Sequence, residues 1–120
     1  MTGQILLIDH SVPLSRSITF ILTQNGYHVN AVRDEDNALH NLASEGYDLI
    51  IVNLKDVAAY GSKILEFLRN RKDPSAPPVL GLTTPEGERD STLVSTAGVT
   101  EWLSVPFSNE KLLNCIKKIW

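Results

Sequence analysis

The chain has 120 residues, enough for one domain with a single core and no need of covalent staples. Apolar residues make up 42 % and charged residues 21 %, which excludes a disordered or fibrous chain. A net charge of −3, with Lys and Arg scattered, excludes the broad basic face of a nucleic-acid-binding domain.

The run Ile5-Leu6-Leu7-Ile8 is short, continuous and apolar, as in a strand covered on both faces. Leu14, Ile18, Ile21 and Leu22 then recur at helical spacing, and Asn25-Gly26 supplies the stop. Tyr27 to Val32 alternates as a second strand, and Asp34 is placed to cap a second helix carrying Ala38, Leu39, Leu42 and Ala43, closed by Gly46. A third strand follows at Leu49 to Val52. Ile64, Leu65, Phe67 and Leu68 mark a third helix from Tyr60 to about Arg71. Asp73 to Pro78 is a proline-rich loop, and Val79 to Leu82 a fourth strand. Glu86 to Thr96 reads as a polar helix closed by Gly98, and Val99 to Leu103 as a short fifth strand. Ser108 caps a last helix with Leu112, Ile116 and Ile119 on one face.

Strict βα alternation with buried strands predicts an α/β fold: a doubly wound, five-stranded parallel sheet with helices on both faces. Working groups in such sheets lie beyond the carboxyl ends of the strands. That singles out Asp9-His10, Asn53 to Asp56, Thr83-Thr84 and Val105-Pro106. The lone Cys115 has no disulfide partner, which points to a reducing compartment, and its apolar setting predicts a buried hydrophobe. There is no signal peptide and no membrane-spanning run, so a soluble cytoplasmic domain is expected, with no membrane or nucleic-acid partner.

Five segments, in this order and spacing, carry a resemblance: ILLIDHS (5–11), YDLIIVNL (47–54), Gly61, PVLGLTT (78–84) and AGVTEWLSVPF (97–107). Together they resemble the receiver domain of two-component response regulators over essentially the whole chain. The resemblance implies a (βα)5 flavodoxin-like fold with strand order 2-1-3-4-5. It places the family's two adjacent Mg²⁺-binding acids at Asp9 and His10, its phosphoacceptor aspartate at Asn53, its hydroxyl residue at Thr83 and its lysine at Val105. One acid, the acceptor and the lysine are therefore replaced. Thr83, Gly61 and Pro106-Phe107 are kept, and the Val105-Pro106 bond is expected to be cis, as is typical of the family.

The replacements bear on one reaction. An aspartate attacks phosphorus with an anionic oxygen, whereas the neutral amide of Asn53 keeps the shape without the nucleophile. Mg²⁺ prefers an octahedral shell of hard oxygens, and Asp9 is the one remaining acidic candidate. Val105 cannot neutralise a phosphoryl oxygen. No metal or other cofactor is therefore expected, with Mg²⁺ binding weak or absent, and no enzymatic activity. Replacing two acids also removes carboxylate repulsion that a cation would otherwise offset. Lys55, two residues past Asn53, is expected to pair with Asp9 where a metal would sit. Asn53 itself is expected to cap neighbouring backbone groups at the strand end.

Trp102 falls where the family often carries a Tyr or Phe that moves inward on activation. Two readings stand: a filler beside Thr83, or an anchor on the face made by the fourth predicted helix, the fifth strand and the last helix. The expected function is a degenerate receiver, a phosphorylation-independent protein-interaction module, spanning residues 1–120 and consistent with the N-terminal part of a longer protein. Its partner would be another protein or its own downstream output domain. Two alternatives stay open: an atypical receiver switched through Thr83 or His10, and a flavodoxin-like small-ligand-binding domain, against which stands the lack of a glycine in Asp9 to Pro13.

Overall fold

A computed structural model describes residues 3–43, 46–53, 66, 67, 70, 76–83 and 100–119. Five strands form one sheet: β1 (Gln4–Ile8), β2 (His28–Val32), β3 (Leu49–Asn53), β4 (Val79–Thr83) and β5 (Glu101–Ser104). Their order is β2-β1-β3-β4-β5, and every neighbouring pair is parallel. Among the described residues three complete helices accompany it: α1 (Val12–Gln24), α2 (Glu35–Leu42) and the C-terminal α3 (Asn109–Ile119).

Side chains that alternate along the strands feed two apolar layers. Leu6, Ile8, Ile50, Val52 and Val79 meet Ala38 and Leu42 of α2 on one face. Ile5, Leu7, Leu49, Ile51, Leu80 and Leu82 meet Ile18, Ile21 and Leu22 of α1 and Leu112 and Ile116 of α3 on the other. The sheet is thus wound on both sides, and β3 and β4 are buried along their whole length. Burying side chains such as Leu112 and Ile116 contributes about 1.5–3 kcal/mol each.

The helix ends follow local chemistry. At the end of α1 the Gly26 N–H donates to Thr23 O and the Tyr27 N–H to Leu22 O, both at 3.1 Å, a Schellman closure. It requires Gly26 at φ +88°, a conformation a side chain would strain. Asp34 caps α2, its Oδ1 accepting from the Asn37 N–H at 2.7 Å. Ser108 Oγ accepts from the Lys111 N–H at 3.1 Å and starts α3.

β5 runs from Glu101 to Ser104, one residue past the predicted Leu103, and the predicted start at Val99 lies outside the described residues. The Val105 N–H donates to Thr83 O at 2.7 Å, so the β4 pairing draws this strand past the apolar run. Cys115 is half-buried against the α3 layer rather than fully buried, and desolvation pushes its thiol pKa up. Of the predicted third helix, Glu66 and Phe67 are helical, and the Asn70 N–H donates to Glu66 O at 3.0 Å. Gly61, Lys55 and the predicted fourth helix, 86–96, lie outside the described residues. No helix among the described residues is long and apolar enough to cross a membrane.

Candidate functional site

Three strands deliver three polar side chains to one end of the sheet. Asp9 follows the last residue of β1, Asn53 ends β3 and Thr83 ends β4. Parallel register aligns Ile8 with Val52 and Asn53 with Leu82, which sets the three side by side. They are exposed by 1 %, 6 % and 2 %, and with Ser15 they are the buried polar side chains among the described residues. Burial of polar groups at one spot in an apolar sheet requires that they satisfy one another.

Asp9 organises the cluster. Its Oδ1 accepts from the Ser11 N–H at 2.9 Å and from Asn53 Nδ2–H at 3.2 Å. The first bond ties the strand end to the N-terminus of α1, where Ser11 is the N-cap but makes no side-chain capping bond itself. A carboxylate placed there faces the positive end of the helix dipole. The second bond fixes the amide's orientation: an ionised carboxylate only accepts, so the NH₂ side of Asn53 must face it. The bond also spans the neighbouring strands β1 and β3, so it braces the sheet where a phosphoacceptor would stand.

The rim completes the picture. His10 is exposed. Val105 is half-buried and packs against the α1–α3 layer, so an apolar side chain occupies the position where the resemblance expects a cation. The Val105-Pro106 bond is cis, as expected, and Pro106 is exposed. The expected Asp9–Lys55 pair falls outside the described residues. Among the described residues no group of three or more His, Cys, Asp and Glu side chains could hold a metal. The buried donor set is one carboxylate, one amide and one hydroxyl, and one carboxylate oxygen already accepts two N–H bonds.

Trp102 lies away from this cluster, at the sheet's edge. Its register partner is Gly81, two residues before Thr83 and on the same face, and the missing side chain there leaves room for the indole. Trp102 is half-buried against the α2-side layer, so it fills space and keeps an accessible flank. Beside it runs a groove of about 470 Å³ between β5 and α3, lined by Ser104, Pro106, Lys111 and Lys118 as well as Trp102. Across this edge Lys118 Nζ meets Glu101 Oε2 at 3.1 Å, and that bond, with the Trp102 N–H, holds the Glu101 carboxyl below its usual range. A second groove lies between α1 and β2; its signal is the stripe Val12, Arg16, Thr19, Thr23 at helical spacing, with Ala31 on the facing strand and Arg33 just past that strand's end.

Comparison with known proteins places this geometry. The family model described as "Response regulator receiver domain" matches residues 5–117. Among curated proteins, the phosphate regulon transcriptional regulatory protein PhoB of Escherichia coli (strain K12) is 26 % identical over 119 residues, covering 99 % of this chain and 52 % of PhoB. The chain therefore spans about half the length of the curated relatives of that kind. Among solved structures, the chemotaxis response regulator CheY4 of Vibrio cholerae superposes with a TM-score of 0.81 at 25 % identity, covering 100 % of both chains. The receiver domain of the Pseudomonas aeruginosa sensor histidine kinase PA1611 superposes with a TM-score of 0.80 at 22 % identity, covering 98 % of this chain and 97 % of that one. That domain has a magnesium ion coordinated in its active-site cleft.

Proposed function

The chain belongs to the response regulator receiver domain family, and we propose that it is a degenerate member, a signalling module that works through protein contacts without accepting a phosphoryl group. One observation carries this reading. The side chain at the acceptor position is a buried amide that donates to the neighbouring carboxylate at 3.2 Å. A phosphoacceptor must present an anionic oxygen to phosphorus, and Asn53 has none.

The surroundings support the same conclusion. Mg²⁺ fits the described donors poorly, since one buried carboxylate stands where the ion prefers several hard oxygens. Val105 supplies no charge for a transferred phosphoryl group. What the described bonds do is structural: Asp9 starts α1, and Asn53 ties β3 to β1 through the Asp9 carboxylate.

With the site closed, function falls to the surface. The flank of Trp102 and the groove between β5 and α3 offer an aromatic anchor rimmed by Lys111 and Lys118. The partner would be an output domain of the same protein or a separate signalling protein, in line with the larger transcriptional regulatory protein among the relatives. A DNA contact by this domain is disfavoured by its net charge of −3.

The test is an amide NMR titration of the chain with Mg²⁺ and then with beryllofluoride, a phosphoryl mimic. Unmoved resonances at Asp9, Asn53 and Thr83 are expected. Saturable shifts there, with Trp102 responding, would overturn the reading and revive a switch through non-standard residues.

A further inference from the structure

The second groove lies on the opposite edge of the sheet from Trp102. Its volume is about 500 Å³, and it runs between α1 and β2. Val12, Arg16, Thr19 and Thr23 line it from the helix, Ala31 from the strand and Arg33 from just past the strand's end. Its length along α1, Val12 to Thr23, is roughly 16 Å at 1.5 Å per residue. An extended segment of about five residues has that length, as does β2 itself.

Three features specify an occupant. The first is charge. The charged side chains of the groove are Arg16 and Arg33, both exposed, on a chain whose net charge is −3. Neither guanidinium makes an ion pair among the described residues. The second is Phe20, which lines the same groove and is 65 % exposed, the one exposed large hydrophobe among the described residues. A small anion would satisfy the arginines and leave Phe20 in water.

The third feature is the strand edge. β2 ends the sheet, paired with β1 alone. The His28 N–H donates to Gly3 O, and Val32 O accepts from the Asp9 N–H, so these backbones turn toward β1. Alternation turns the N–H and C=O of Val29 and Ala31 toward the open edge. Ala31 is exposed, and its small side chain leaves the approach clear.

We propose that the α1–β2 groove binds an extended acidic segment of a partner protein, which adds as a strand to the edge of β2. Its main chain meets Val29 and Ala31. Two carboxylates flanking one apolar side chain meet Arg16, Arg33 and Phe20. This surface is separate from the groove at Trp102, so one domain offers two docking edges.

The test is an amide NMR titration of the 120-residue chain with the capped peptide Glu-Thr-Val-Thr-Glu, which puts both acids and the valine on one face of a strand. Saturable shifts at Thr19, Phe20, Ala31 and Arg33 are expected. Affinity should fall by about tenfold or more in the R16E/R33E variant, and also for the peptide with serine in place of valine. R16E/R33E changes exposed residues, so its unfolding midpoint should match that of the parent chain. Absence of shifts in the groove, equal binding of Lys-Thr-Val-Thr-Lys, the same shifts with citrate alone, or unchanged affinity in R16E/R33E would each overturn the proposal.

Discussion

Asn53 and Asp9 stand 44 residues apart in sequence and share one buried hydrogen bond, the Asn53 Nδ2–H donating to Asp9 Oδ1 at 3.2 Å. The bond joins the carboxyl ends of the neighbouring strands β1 and β3. It helps the Asp9 carboxylate remain buried, because the amide supplies a donor where a second acid would supply repulsion.

Asn53→Asp should therefore destabilise the fold. Two carboxylates about 4 Å apart repel by up to about 4 kcal/mol at an effective dielectric of 20, and the donated bond is lost as well. A loss of roughly 2–4 kcal/mol is expected from urea unfolding at pH 7. Protonation of either acid relieves the repulsion, so the deficit should shrink as pH falls toward about 4. A variant as stable as the parent at pH 7 would mean that the bond braces nothing.

Restoring phosphotransfer should need several changes at once. Asn53→Asp returns the nucleophile, His10→Asp the second acid and Val105→Lys the cation. Intact-mass measurement after treatment with a small phosphodonor should show a Mg²⁺-dependent adduct only where Asn53→Asp and His10→Asp are combined. Val105→Lys should then raise its yield. Full labelling of the chain carrying Asn53→Asp alone would show that the remaining site is more competent than its residues suggest.

Asp34 makes α2 sensitive to acid. Its carboxyl is held below its ordinary value by the backbone N–H of Asn37 first and the Asn37 side chain second. A carboxyl with a depressed folded-state pKa contributes stability that is present above its unfolded value, 3.8, and lost as pH falls through the lower folded value. The Asn37 amide should exchange faster with solvent hydrogen below about pH 4, and in Asp34→Asn that extra pH dependence should vanish.

On α3 the two faces should respond very differently. Ile116→Ala opens a cavity in a fully buried layer and should cost about 2–4 kcal/mol in urea unfolding. Lys118→Ala removes the bond to Glu101 at a side chain 72 % exposed and should cost at most about 1 kcal/mol. Comparable losses would mean that the Glu101–Lys118 pair does more than trim the edge of β5.

Much of the architecture was legible because it rests on local chemistry. Continuous runs such as Ile5 to Ile8 and Leu49 to Val52 have no polar face and so must be central strands, and Asn25-Gly26 and Asp34 mark helix ends by backbone geometry. The convergence of Asp9, Asn53 and Thr83 was legible too, because parallel strands deliver their carboxyl ends to one side. The Asn53–Asp9 bond was not: a strand-end amide in sequence is a cap for neighbouring backbone groups, and spacing alone does not bring it to a carboxylate 44 residues away. The ends of β5 were set by pairing to β4 rather than by pattern. The α1–β2 groove stayed hidden because Arg16, Phe20 and Arg33 look like ordinary surface residues until the sheet sets helix and strand edge together.

The position of β1 between β2 and β3 has a consequence for how the chain assembles. β1 and β2 pair across a short separation, with α1 between them, so this unit contains all its own contacts once Val32 has been synthesised. The other side of β1 must wait for β3, and Ile8 meets Val52 only after the intervening segment has closed. Loop closure of that length is slow relative to helix formation. During synthesis the β3-facing edge of β1 is therefore an unfilled slot, and β3, the most apolar strand available, is the segment that ends that exposure.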